Sequence, residues 1–118
     1  MFTFINVYGP NKDEYDKFEL LKDFLLENNG HNFIIGGDFN TILNYSLDKK
    51  NGRFDTNRKC RNTLQEMIDA CELIDIWREL HPTKLQFTWH SNTKPTIHSR
   101  LDYFLLSNII KNMVKHVI

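Results

Sequence analysis

The sequence is poor in the residues that mark secreted and membrane proteins. It has only two cysteines, three prolines and five glycines in 118 residues. Cys60 and Cys71 form no Cys-x-x-Cys pair, and on one helix they would lie ~16 Å apart, too far for a disulfide. Reduced cysteines fit a cytosolic or nuclear protein. Met1 is followed directly by a strand-like segment rather than a signal peptide, and no apolar run has transmembrane length. We therefore expect an intracellular protein that does not bind membranes.

Net charge is also absent, because 15 Lys and Arg balance 15 Asp and Glu. No overall field therefore attracts nucleic acid or a membrane surface. The charge is unevenly distributed, however: residues 48–61 are net basic, whereas residues 1–47 and 62–75 are net acidic. Such a basic loop is usually solvated surface, and contact with phosphate is the alternative. The hydrophobic content of 41% fits one globular domain with a core.

Hydrophobic periodicity predicts the order β-α-β-loop-α-β-β-α, which indicates an α/β or α+β fold with helices on sheet faces. The polar stretch 41–57 is predicted to be a long loop, and residues 117–118 the start of a further strand. The apolar stripe of the second helix is predicted to face the core. The predicted strands are Phe2–Tyr8, Phe33–Ile35, Gln86–His90 and Arg100–Ser107, and the helices are Asp13–Asn28, Arg58–Leu73 and Ile109–Lys115.

The most informative stretch is Gly36-Gly37-Asp38-Phe39-Asn40, which directly follows the buried-strand pattern Phe33–Ile35. Two glycines allow a tight turn or positive φ. On an extended backbone, Asp38 and Asn40 would point to the same side. A carboxylate and a carboxamide facing one point suit a water molecule or a phosphate oxygen. The same residues also occur in ordinary turns, so this stretch alone leaves both interpretations open.

Two further residues lie at strand ends. Tyr8 precedes the breaking sequence Gly9-Pro10-Asn11, where a tyrosine usually packs at the rim of a core. Asp102 lies near the start of an otherwise apolar strand, and a carboxylate there is costly unless it is paired or at the edge of a site.

Four separated stretches form one ordered pattern: residues 6–11 (NVYGPN), 37–40 (GDFN), 87–89 (FTW) and 99–107 (SRLDYFLLS), with DIWR at 75–78 and HP at 81–82 between them. Over nearly the whole chain this pattern resembles the endonuclease/exonuclease/phosphatase superfamily. Within it, the chain is most similar to the apurinic-endonuclease-like nucleases of LINE-type (non-LTR) retrotransposons.

The resemblance implies a DNase I-like four-layer α/β sandwich that hydrolyses DNA phosphodiesters with Mg²⁺ or Mn²⁺. By position, Asp38 would polarise the attacking water, and Asn40 would hold that water or a phosphate oxygen. Both are also the implied metal ligands. Tyr8 would place its hydroxyl on the phosphate, Thr88 would lie near the DNA backbone, and Asp102 would orient a catalytic histidine.

The chain also departs from the family pattern. The family carries a metal-binding Glu in its N-terminal half and a final Ser-Asp-His, and none of the five histidines here follows a Ser-Asp. We therefore expect residues 1–118 to be the C-terminal half of the domain, truncated at both ends and inactive alone, with an apolar sheet face uncovered. A longer parent protein would also hold a reverse transcriptase.

Three alternatives remain. Phosphoinositide phosphatases of the same fold share the Gly-Asp-Phe-Asn element, but they have Trp-x-Asp-Arg around the last acid, where this chain has Arg-Leu-Asp-Tyr. A non-catalytic module would bind nucleic acid through Lys49–Arg61, with salt-dependent affinity. A fragment without any role would neither bind nor hydrolyse DNA.

Overall fold

The computed structural model describes residues 1–52 and 57–115. Within these residues the chain forms one four-stranded sheet, one three-stranded sheet and a set of short and long helices. In chain order the elements are β1 (Phe2–Tyr8), α1 (Asp16–Glu27), β2 (Asn32–Asp38), α2 (Tyr45–Asp48), β3 (Lys49–Lys50), α3 (Arg58–Ala70), β4 (Leu73–Asp75), α4 (Ile76–Leu80), β5 (Trp89–His90), β6 (His98–Ser99), β7 (Asp102–Ser107), a 3-10 turn (Asn108–Ile110) and α5 (Lys111–Lys115).

The larger sheet has the strand order β1-β2-β7-β4. β1 and β2 are parallel and are connected by α1, whereas β7 runs antiparallel to both β2 and β4. The smaller sheet, β3-β6-β5, is wholly antiparallel. The predicted mixed α/β fold is therefore confirmed.

One face of the larger sheet is covered by α1 and α3, and we call it the covered face. The helices contribute apolar residues at helical spacing, among them Phe18, Leu25, Leu64 and Met67, which are at most 1% exposed. The strands contribute alternate residues, including the fully buried Leu105. Each such side chain stabilises the fold by ~1.5–3 kcal/mol on burial. The stripe predicted for the second helix is confirmed as core.

We call the other face of the same sheet the open face. Leu106 is buried there under Ile76 of α4 and Ile110 of the 3-10 turn. Closer to β1 the cover ends, and large apolar rings remain exposed: Phe4 is 74% and Phe104 is 57% accessible to solvent. An uncovered apolar face was expected from the sequence, and the structure has one.

The stretch predicted to be a long loop is more ordered than expected. It contains α2 and β3, and Asp48 at the end of α2 is completely buried. Asn44 caps α2, because its side-chain oxygen accepts hydrogen bonds from the backbone N–H groups of Ser46 and Leu47. Residues 53–56 of the basic stretch, and the strand predicted at 117–118, lie outside the described residues.

Other predicted boundaries were also wrong. Asp13 lies outside α1 and instead caps the start of α3, where its carboxylate accepts bonds from the backbone N–H groups of Lys59 and Cys60. The second helix ends at Ala70, and the chain then forms β4. Thr88 precedes β5, whose partner β6 was not predicted.

Both cysteines are free thiols. Burial and the neighbouring Asp13 carboxylate raise the pKa of Cys60 to about 11, so this thiol remains protonated and unreactive. In the part of the chain that the structure describes, no helix has the length and apolar character needed to cross a bilayer.

Candidate active site

Three of the residues singled out in the sequence form one row across the larger sheet. Tyr8, the last residue of β1, pairs in register with Asp38, the last residue of β2. Asp38 in turn pairs with Asp102, the first residue of the antiparallel β7. Tyr8 is 69% exposed and Asp102 is also exposed. The topology therefore brings these groups together where three neighbouring strands end or begin, on one side of the sheet. We call this row of strand ends the site edge.

The site edge places two carboxylates directly opposite each other on neighbouring strands. Like charges at such positions repel, so this arrangement costs stability unless a cation or proton compensates it. Neither Asp38 nor Asp102 takes part in an ion pair with any residue in the described ranges. Asp38 is half-buried, and its Oδ1 accepts a hydrogen bond of 2.9 Å from the backbone N–H of Asn40. The site edge is thus a locally acidic surface.

Asn40 does not lie on an extended backbone, so the geometry predicted from i, i+2 spacing was wrong. The strand ends at Asp38, and Asn40 has a left-handed φ of 52°. Its Nδ2 donates to the carbonyl oxygen of Gly9 at 2.8 Å and to Oδ1 of Asn11 at 3.1 Å. The amide therefore holds the loop after β1 against the loop after β2.

Phe39 explains why an aromatic residue stands between these two polar ones. Its ring is fully buried and stacks on Tyr103, with ring centroids 4.3 Å apart and nearly parallel planes. The Tyr103 hydroxyl donates to the carbonyl oxygen of Thr41 at 2.6 Å. Burial, and next the charge of Asp75, raise the pKa of Tyr103 well above its ordinary value, so it stays a neutral donor. Phe39 thus anchors the loop that carries Asp38 and Asn40.

Glycine is required where the two loops touch. A Cβ atom on Gly9 would lie 1.9 Å from the Phe39 carbonyl oxygen, closer than any side chain permits. Gly37, at φ 139°, lies in backbone conformations that other residues rarely adopt. Gly9 and Gly37 therefore allow the close approach of the β1 and β2 ends at the site edge.

Thr88 also belongs to the site edge. Its Oγ1 accepts hydrogen bonds from the backbone N–H groups of Leu101 at 2.9 Å and Asp102 at 3.2 Å. The Thr88 N–H donates to the carbonyl oxygen of Ser99. Beside them lies a cavity of about 490 Å³, lined by Thr88, Asp102 and aromatic residues that include Trp77, Tyr103 and Phe104. Thr88 fixes the start of β7 and stands beside open space.

A second cluster of charges was not predicted from the sequence. We call it the buried charge cluster, and its members are Asp48, Asp75, Arg78 and Arg100. The Arg100 Nε donates to Asp48 Oδ1 at 3.0 Å, and its guanidinium also binds Asp75. Arg78 Nη2 donates to the same Asp48 oxygen at 2.5 Å. Asp48 is 0% and Arg100 is 3% exposed. Two carboxylates and two guanidiniums thus neutralise one another away from water.

The buried charge cluster is connected to the site edge through Arg100. Burial alone would lower the pKa of Arg100, but hydrogen bonds to Asp75 and Asp48 outweigh it and raise that pKa. The Arg100 backbone N–H also donates to the Asp48 carbonyl oxygen at 2.9 Å. Because Arg100 lies two residues before Asp102, these bonds tie the site edge to α2 and to β4. Asp75, Arg78 and Arg100 all lie in the motifs, but Asp48 carries no local sequence signal.

Two side chains near the site edge, those of Asp38 and Asn40, carry oxygen atoms of the type that binds a hard divalent cation. Carboxylate and amide oxygens, such as those of Asp38 and Asn40, are the ligands that Mg²⁺ prefers. No group of three or more His, Cys, Asp or Glu side chains converges on a metal position among residues 1–52 and 57–115. Magnesium usually keeps several waters and also binds substrate phosphates, so a two-ligand contribution fits this ion.

The chain is similar to known proteins in sequence and in fold. Residues 3–112 match the Endonuclease/Exonuclease/phosphatase family. A Xenopus laevis protein described as "Transposon TX1 uncharacterized 149 kDa protein" is 32% identical over 94 residues, which cover 75% of this chain and 7% of that protein.

Solved structures show the same fold. The catalytic domain of Xenopus laevis APE2 superposes with a TM-score of 0.75 at 26% identity, over 94% of this chain and 41% of that one. The 3′ phosphatase NExo from Neisseria, bound to product DNA hairpin, gives 0.72 at 22% identity, over 92% and 49%. An AP endonuclease from Archaeoglobus fulgidus gives 0.67 at 14% identity, over 94% and 51%.

The chain thus spans about half or less of the length of each of these relatives. The family match covers more than half of the chain, and the fold and the motifs agree with it. The chain belongs to the Endonuclease/Exonuclease/phosphatase family.

Proposed function

We propose that this chain is part of a divalent-cation-dependent endonuclease domain of the retrotransposon type, which hydrolyses DNA phosphodiesters. The observation that carries the proposal is the row Tyr8–Asp38–Asp102 at one sheet edge, with Thr88 bonded to the backbone of Asp102. The transposon relative supports the type of parent protein, and the DNA-bound neighbour supports DNA as the substrate.

In this proposal each side chain has one task. Asp38 polarises the attacking water, and its hydrogen bond from the Asn40 N–H fixes the orientation of the carboxylate. The exposed Tyr8 hydroxyl donates to a phosphate oxygen, which stabilises negative charge as it develops. Thr88 contacts the DNA backbone. Asp102 orients the histidine of the family's Ser-Asp-His and favours the protonated form of that histidine.

Asp38 and Asn40 would hold the cation, which would supply charge neutralisation at the phosphate when bound. The family's metal-binding Glu and its Ser-Asp-His have no counterpart in the 118 residues. Residues that act as a unit are strongly non-additive, and loss of essential members leaves little rate. We therefore propose that residues 1–118 alone do not cleave DNA, whereas a chain extended with both missing segments does.

Nicking of supercoiled plasmid tests this proposal. The chain alone, the extended chain and the extended chain with Asp38→Asn are incubated with MgCl₂, and EDTA is added to parallel samples. We expect nicking only by the extended chain without EDTA. Asp38→Asn keeps the acceptor for the Asn40 N–H, so circular dichroism and thermal melting of this variant should match the unsubstituted chain.

Two results would overturn the proposal. EDTA-sensitive nicking by residues 1–118 alone would refute the inactivity of this chain. A folded extended chain that leaves plasmid intact but releases phosphate from phosphoinositides would instead identify a phosphatase of the same fold. Both substrates are therefore assayed side by side.

A second candidate function is DNA binding without cleavage. Lys49 and Lys50 form β3, in the small sheet that continues through β6 to β5, next to Thr88. Replacing both lysines by Gln should weaken binding of a DNA duplex and flatten its salt dependence if these residues contact phosphate. This candidate would be supported by an extended chain that does not nick plasmid and whose DNA affinity falls when Lys49 and Lys50 are replaced by Gln. Asp38→Asn should then leave that affinity unchanged.

A further inference from the structure

Two histidines that the proposed function does not use face each other across the small sheet, and one of them follows Thr88 by two residues. His90 in β5 and His98 in β6 are direct partners in the antiparallel register. Their Nδ1 atoms lie 2.6 Å apart, and their rings meet edge to face at 79°. Neither ring is fully buried. Two imidazole nitrogens at this distance share one proton, or else their lone pairs converge on the same point.

This convergence is close to the geometry of a bis-histidine metal site. Imidazole nitrogens bind Zn²⁺ at about 2.0–2.1 Å, so two such ligands lie about 2.9 Å apart for a right-angled arrangement and about 3.3 Å apart for a tetrahedral one. The observed 2.6 Å therefore has to increase by less than ~1 Å. Rotation of the exposed His90 side chain and the half-buried His98 side chain achieves this without movement of the strands.

The backbone around the pair is held in place before any ion binds. On one side the Thr88 N–H donates to the Ser99 carbonyl oxygen at 2.9 Å, and on the other the Ser91 N–H donates to the Ile97 carbonyl oxygen at 2.9 Å. The Phe87 ring packs 5.5 Å from that of His98. Because these bonds fix the backbone of both histidines, little backbone ordering entropy is lost on binding.

We propose that His90 and His98 form a binding site for a late first-row divalent cation such as Cu²⁺, Ni²⁺ or Zn²⁺, with water completing the coordination. Imidazole suits these ions, and the usual affinity order places Cu²⁺ first. Lys50 lies opposite His98 on β3 and is a cation rather than a ligand. The bound ion joins β5 to β6 and so stiffens the hairpin that leads to Thr88.

Calorimetric titration of the chain, without any histidine tag, tests the proposal with CuCl₂, NiCl₂ and ZnCl₂ at pH 7.5. We expect one site per chain and the tightest binding for Cu²⁺. His90→Gln and His98→Gln should each weaken binding at least tenfold, since even outer-shell changes at metal sites have effects of ~10–100-fold. His31→Gln is the matched control, because His31 bonds to Thr3 elsewhere in the fold and should leave affinity unchanged.

A second measurement locates the ion. Substoichiometric Cu²⁺ should broaden amide resonances of residues 88–91 and 97–99 in a ¹H–¹⁵N spectrum before any others. Unchanged affinity in the double variant His90→Gln/His98→Gln, or first broadening near Met1 and His31, would overturn the proposal. Neither result depends on nuclease activity, so failure here leaves the proposed function untouched.

Discussion

The buried charge cluster and the site edge each contain a pair of aspartates, and the two pairs have opposite surroundings. Asp48 and Asp75 share the guanidinium of Arg100, and Asp48 also pairs with that of Arg78. Asp48 is fully buried and Asp75 is largely so. Asp38 and Asp102 face each other at the solvent-exposed edge, and no ion pair within the described residues compensates them. The two pairs are connected directly, because Arg100 and Asp102 lie two residues apart.

The first pair, Asp48 and Asp75, stabilises the fold, whereas the second pair, Asp38 and Asp102, is available to bind a ligand. Charges that are already neutralised and desolvated hold segments together but offer nothing to a ligand. Carboxylates without an ion-pair partner cost stability where they face each other, and they remain available to bind a cation. The buried charge cluster thus holds Arg100 in position, and Arg100 lies two residues before Asp102, which has no ion-pair partner among the described residues.

The largest expected effect comes from breaking the buried pair. Asp48→Asn leaves Arg100 and Arg78 with one charged partner fewer in a desolvated environment. We expect the free energy of unfolding to fall by ~3–5 kcal/mol. Urea denaturation followed by circular dichroism measures it. A loss below ~1 kcal/mol, the scale of exposed ion pairs, would show that water reaches the cluster.

The next effect compares two neighbouring residues of β7 on opposite faces of the sheet. Leu105 on the covered face is 0% exposed, and Phe104 on the open face is 57% exposed. Leu105→Ala should destabilise the chain by ~2–5 kcal/mol, because it leaves a cavity. Phe104→Ala should cost less, although it removes the larger side chain. Equal losses in the same denaturation assay would mean that another surface covers Phe104, for example through self-association.

A smaller effect is expected from the capping carboxylate Asp13, which is neither buried nor in the site. Desolvation opposes its charge, but hydrogen bonds from the Cys60 and Lys59 backbone N–H groups outweigh this and lower its pKa. Asp13→Ala should cost ~0.5–2 kcal/mol at neutral pH. A carboxyl group whose pKa is lower in the folded state stabilises the fold at pH values above its unfolded-state pKa. This stabilisation is lost as the pH falls through the folded-state pKa. The gap between the parent chain and the variant should therefore close below about pH 4.

The smallest effect has the opposite sign. Asp102→Asn removes one of two facing carboxylates and should raise the free energy of unfolding by ~0.2–1 kcal/mol. The gain should shrink in high salt or MgCl₂, because both compensate the same repulsion. Leu101 and Asp102 keep their backbone bonds to Thr88, so the fold is unchanged. If Asp102→Asn destabilises the chain instead, the carboxylate has a structural partner and the contrast between the two pairs fails.

Much of the fold could be predicted from the sequence, because its signals are local. The apolar stripes of α1 and α3 and the apolar runs of β2 and β7 each follow from residue spacing. The site edge was also predictable in outline, since Tyr8, Asp38 and Asp102 stand at strand ends within recognisable motifs. Their roles in catalysis and metal binding stay predictions.

What could not be predicted depends on contacts between distant segments. Asp48 lies in a polar stretch and looks like a surface residue. Its burial is possible because Arg100 and Arg78, which are distant in the sequence, neutralise its charge. Asp13 looks like the first turn of the following helix but caps a helix much later in the chain. Asn40 was expected on an extended backbone, but its backbone is left-handed and its side chain contacts Gly9 and Asn11 in the loop after β1.

The position of β7 in the larger sheet has a consequence for synthesis. β7 is the last strand of that sheet in the chain but lies between β2 and β4. Until residues 102–107 leave the ribosome, β2 has one unpaired edge and β4 has no partner in the sheet. A nascent chain that contains β2 and β4 but not yet β7 is therefore exposed to edge-to-edge association. β7 also carries Asp102, so the pairing of β7 with β2 places Asp102 opposite Asp38 in the same step.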